Sequence, residues 1–113
     1  MPAMTKPTPD GLALLDELAD DLEAAAVAFE RSQMFGSPGL RLPGKGKFFA
    51  TLVSGEEMIF KLDGAMHASA LELDGAHLFE PMPGRPMKQW VQVPSVHRGK
   101  YLELATAAAQ SVG

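Results

Sequence analysis

Seven residues in this chain could grip a polar or anionic partner: Arg41, Lys45, Lys47, Arg85, Lys88, Trp90 and Arg98. Guanidinium and ammonium groups bind carboxylates or phosphates through charge-assisted hydrogen bonds, and an indole ring among polar neighbours offers a flat apolar platform. Trp90 stands at alternate spacing with Lys88 and Gln92, which on a strand sets all three on one face. A single Trp in a small domain is more often packed than displayed, so the same ring is expected to be largely buried. Met34, Met58, Met66, Met82 and Met87 are read the same way, as core filler before promiscuous contacts.

Other combinations resemble chemistry without completing it. Gly39 to Lys45 has the glycine, four-residue gap, glycine and lysine of a phosphate-binding loop. Position 46 is Gly where a hydroxyl would hold magnesium, and a strand pattern follows where a helix N-terminus would face the phosphates. The segment therefore reads as a turn. His67, His77 and His97, with Glu72, Asp74 and Glu80, have no helical pairing or ligand signature, so no metal site is expected. Ser37, Ser54, Ser69 and Ser95 lack any elbow or triad context. The expectation is a non-enzyme without cofactor.

The elements that would position these residues follow from periodicity. From Asp10, read as an N-cap, Leu12, Leu15, Ala19, Leu22, Ala26 and Phe29 recur every three or four residues, the stripe of a helix reaching toward Arg31. Its outer face pairs Asp16 with Asp20 and Glu17 with Asp21, like charges that oppose each other and keep the face solvated. Leu40 to Leu42, Phe48 to Val53 and Met58 to Leu62 form a three-stranded meander around turns at Pro43 to Gly46 and Ser54 to Glu56. A short helix spans Gly64 to Asp74 before Gly75. Leu78 and Phe79 pair with Met87 to Val93 around a proline-rich loop, and a weakly amphipathic helix from Gly99 to Ser111 ends the chain, prone to fray.

The fold class expected is α+β, a two-layer sandwich with an antiparallel sheet of about five strands in the order α-β-β-β-α-β-β-α. Residues 1–9, with Pro2, Pro7 and Pro9, read as a disordered arm and not a signal peptide; residues 10–113 form one domain. Leu40 to Leu42 reads as an exposed edge that would permit homodimerisation by sheet pairing.

Composition narrows the class of protein. The 113 residues are 46% hydrophobic and 21% charged, as in globular domains, and include no cysteine, which excludes disulfides and thiolate metal sites and fits a cytoplasmic setting. No apolar run reaches the roughly 18 residues needed to cross a bilayer. The net charge of −4 is uneven. Residues 1–30 hold one Lys against seven Asp and Glu, a net −6, while the remainder holds nine Lys and Arg against seven, a net +2.

Met34-Phe35-Gly36, Gly39-Leu40, Gly44 with Lys47-Phe48-Phe49-Ala50, Phe60-Lys61-Leu62-Asp63, and Pro83-Gly84-Arg85-Pro86-Met87 running to Val93-Pro94 together resemble the N-terminal domain of the TfoX/Sxy competence regulators. The resemblance spans nearly the whole ordered chain, rests on turn and strand residues, and implies a two-layer α/β sandwich without catalytic residues. In the full-length regulators a C-terminal helical domain follows, and together they promote transcription of DNA-uptake genes alongside a catabolite activator protein. The function expected here is thus a regulatory or adaptor module binding a protein partner. The alternatives are direct nucleic-acid contact through the basic residues, and a small-molecule or enzyme pocket assembled by the fold.

Overall fold

The computed structural model describes residues 8–34, 37–44, 46–53, 57–82 and 84–112. It contains helices α1 (Pro9–Ala24), α2 (Gly64–Leu71) and α3 (Tyr101–Val112). The strands are β1 (Glu30–Met34), β2 (Ser37–Arg41), β3 (Phe48–Val53), β4 (Glu57–Lys61), β5 (His77–Met82) and β6 (Arg85–Val93). A 3-10 segment, Ser95–Lys100, leads into α3. All neighbouring strands are antiparallel, in the order β1-β2-β3-β4-β6-β5. The α+β sandwich is as the sequence predicts, with one strand more than expected.

That strand is β1, where the periodicity predicts the end of a helix. The first helix starts earlier than Asp10: Thr8 accepts a hydrogen bond from the Gly11 N–H at 3.0 Å, and Pro9 occupies the opening position, so part of the expected arm belongs to the helix. It also stops earlier. Ala26 turns left-handed at φ 61°, the Ala26 N–H bonds to the Glu23 carbonyl, and the Val27 N–H reaches back to the Leu22 carbonyl. These are the two bonds of a Schellman ending with alanine where glycine is usual, which frees Glu30 to Met34 to become a strand. Ala26 and Phe29 are therefore outside the helix, and Leu12 is 38% exposed instead of lying in the buried stripe. The stripe is Leu14, Leu15, Leu18, Ala19 and Leu22.

Because β1 covers one side of β2 and β3 the other, Leu40 to Leu42 is not a sheet edge; the edges are β1 and β5. Leu40 to Leu42 therefore offers no free edge for homodimerisation by sheet pairing. α2 also ends three residues before the predicted Asp74, with Glu72 as its C-cap.

Strand alternation divides the sheet into two faces. Ala50, Leu52, Met58, Phe60, Val91 and Val93 share a buried cluster with the stripe of α1, Ala70 of α2, and Tyr101, Leu104, Ala105, Ala108 and Val112 of α3. All three helices thus contribute to one face. α3 is a principal cover of that face, its alanines letting the helix approach the strands closely. Tyr101 sits edge-on to Phe60 with ring centroids 5.3 Å apart and donates its hydroxyl to the Val93 carbonyl at 2.8 Å. Burial, reinforced by the Glu57 carboxylate, pushes the Tyr101 phenol well above its ordinary range.

Val53, Ile59, Phe79 and Trp90 form a second cluster, flanked by Phe48 and Met87 and made of strand residues alone. Thr51 points to this side as well. It is fully buried with no hydrogen-bond partner for its hydroxyl, and Gly39 lies opposite, where an added Cβ would come within 2.8 Å of that oxygen. Only glycine allows the two strands this approach without displacement. No helix among the described residues is long and apolar enough to cross a membrane.

Candidate functional site

A break in the β5–β6 pairing builds the most distinctive part of the surface. Leu78 pairs with Val91, but the next residue, Phe79, pairs with Met87, so Lys88, Gln89 and Trp90 bulge out of β6 without partners on β5. Such bulges re-aim side chains and interrupt pairing. Trp90 turns to the second cluster and is 7% exposed, opposite Lys61 on β4. The Leu62 N–H bonds to the Gln89 carbonyl and the His67 ring donates from Nε2 to the Lys88 carbonyl at 2.7 Å, so β4 and α2 absorb backbone groups freed by the bulge.

Beside the bulge is an open cleft of about 380 Å³, lined by Lys47, Phe48, Lys61, Asp63, Gln89 and Trp90, with the end of α3 at its rim. Lys47 and Gln89 are exposed and Lys61 is half-buried. Among the described residues neither lysine enters an ion pair. Asp63 holds the N-cap position of α2 without bonding the helix through its side chain. Beyond β4, β6 continues as a two-stranded hairpin with β5, and there Arg85 and Lys88 are exposed, also without ion pairs among the described residues; Arg85 pairs with Met82, which is 60% exposed.

The seven residues singled out in the sequence are thus divided. Lys47 and Trp90 share the cleft, and Arg85 and Lys88 extend from its β6 wall. Arg41 is held by Glu30 at 3.2 Å across β1 and β2, and Arg98 by Glu17 of α1 at 2.6 Å, so these two are partly neutralised within the protein. Lys45 lies outside the described residues, as do the Ser54 to Glu56 turn and Pro83. Trp90 is buried, as expected for a single tryptophan, so Lys88, Trp90 and Gln92 form no open platform: Lys88 is exposed, whereas Gln92 is buried and donates to Glu57 at 2.6 Å. Lys61 and Gln89 were not selected from the sequence. Gln89 adjoins Trp90, but nothing local indicates that Lys61 pairs with Trp90 across strands.

The remaining candidates are engaged elsewhere. His97 donates to the Asp74 carbonyl at 2.8 Å and His77 to the Leu78 carbonyl at 2.9 Å, and among the described residues no cluster of three or more metal-ligating groups forms. The phosphate-loop look-alike divides between β2 and the Pro43–Gly44 turn, with β3 and not a helix following.

The chain matches no family model, no curated protein and no solved structure. What its surface does must therefore be argued from its own residues.

Proposed function

We propose that the protein is a small non-catalytic regulatory or adaptor module that docks a protein partner on the β5–β6 hairpin and the adjoining bulge. One observation carries this reading: the hairpin projects beyond β4 with an exposed Met82 opposite Arg85 and a second cation, Lys88, in the adjoining bulge, neither cation in an ion pair among the described residues. An accessible apolar side chain rimmed by charge is the arrangement by which protein interfaces anchor and orient a partner. The resemblance to the TfoX/Sxy N-terminal domain supports a role in transcription or competence regulation, acting in the cytoplasm.

Direct nucleic-acid binding is the competing reading, and the ion pairs weigh against it. Phosphate recognition draws on free cations, yet Arg41 and Arg98 face Glu30 and Glu17, and the exposed side of α1 adds Asp20, Asp21 and Glu23. Labelled duplexes of several sequences, followed by fluorescence anisotropy from low to physiological salt, are expected to bind without sequence preference. The dissociation constant is then no tighter than the non-specific range of about 10⁻⁴ to 10⁻⁶ M. Nanomolar, sequence-selective binding lost on Arg85→Ala or Lys88→Ala would replace the adaptor reading with a nucleic-acid one.

A further inference from the structure

We propose that the cleft beside the bulge is a receptor for an extended acidic peptide segment of the partner, an inference that rests on the protein-docking reading above. Its walls differ in chemistry. Lys47 and Lys61 supply cations without ion pairs among the described residues, and Phe48 and the Trp90 ring supply apolar surface in the same lining. The Trp90 indole N–H has no hydrogen-bond partner among the described residues. A carboxylate placed between the lysines gains charge-assisted hydrogen bonds.

Other groups of the lining select among anions. Asp63 is exposed and unused as a cap, and the end of α3 at Ser111 and Val112 places helix C-terminal carbonyls at the rim, with their partial negative charge. A bare inorganic anion offers these groups mainly repulsion. An extended peptide carries carboxylates for the lysines and backbone N–H groups for Asp63 and the carbonyls, so it satisfies both kinds of group. An apolar residue next to its acidic ones can lie on Phe48 and the edge of Trp90.

Trp90 is the only tryptophan in the chain, so its emission reports on this cleft directly. The full chain is titrated with a blocked peptide, Gly-Glu-Leu-Glu-Glu-Gly, with its counterpart carrying Gln for every Glu, and with inorganic phosphate. The acidic peptide is expected to produce a saturable change in Trp90 emission that weakens as salt rises, with no such change from the Gln peptide. Lys47→Met combined with Lys61→Met keeps the aliphatic stems on the surface and is expected to weaken the acidic peptide by about tenfold or more, the scale of losing hydrogen bonds to charged groups. An unaltered thermal transition in that double variant confirms folding. Absence of a saturable change with the acidic peptide, equal binding of the Gln peptide, or an equal response to phosphate alone would each overturn the assignment. The hairpin reading is tested separately, by contacts at position 82 that involve neither lysine.

Discussion

Replacing Phe60 by alanine is expected to lower the free energy of unfolding by about 3 to 5 kcal/mol, the cost of emptying a large aromatic site in a core. Phe60 is fully buried at the centre of the helix-covered face, between Ala50 on β3 and Val91 on β6. Both cross-strand neighbours are small or β-branched and their backbones are fixed by strand pairing, so little can move in to fill the void. The substitution also removes the edge-on contact with Tyr101, whose hydroxyl holds Val93. Equilibrium unfolding in urea gives the value, with an unchanged slope showing that the native and denatured states keep their compactness. A loss under about 1 kcal/mol would show that the sheet face is not the packed core described here.

Leu22→Ala is expected to cost about 2 to 5 kcal/mol. Leu22 is fully buried in the last full turn of α1, in the cluster that joins α1 to α3 and the sheet, and its carbonyl accepts the Val27 N–H that closes the helix. The alanine keeps that backbone bond, so the measured loss reports packing alone. Leu12→Ala on the same helix is the internal control: its side chain is partly in solvent, and a change within about 0.5 kcal/mol is expected there. Equal losses at the two positions, or a loss below about 0.5 kcal/mol at Leu22, would place the buried stripe elsewhere.

The pair also marks how far the sequence could be read. Leu15, Ala19 and Leu22 were visible as a stripe because helical burial repeats on a period that needs no tertiary information. Leu12 failed because the helix rolls toward Leu14 and Leu18, and a period alone leaves the centre of the stripe uncertain by a residue. The strand β1 was hidden by Ala24, Ala25 and Ala26, strong helix formers that conceal a left-handed Ala26 with no glycine to announce it. Arg31, which suited a helix end, instead reaches from β1 to Asp16 of α1 at 2.8 Å.

At the candidate site, residue type was legible and geometry was not. Lys47, Arg85, Lys88 and Trp90 stood out by charge and aromaticity, but the bulge that separates Lys88 from Trp90 is a property of the β5–β6 pairing. Arg41 and Arg98 appeared as available as the others because their partners, Glu30 and Glu17, lie 11 and 81 residues away in sequence. Lys61 enters only through the register of β4 on β6, a long-range choice that strand alternation does not determine.

That the β5–β6 hairpin is where a protein partner docks can be tested by photo-crosslinking at its exposed methionine. Benzoylphenylalanine replaces Met82, and in a second protein it replaces Glu23, exposed on α1. Both are illuminated in native cell extract. One discrete protein adduct is expected from position 82, weakened by Arg85→Ala with Lys88→Ala and absent from position 23. Adducts of the same pattern from both positions, or none from position 82, would contradict it.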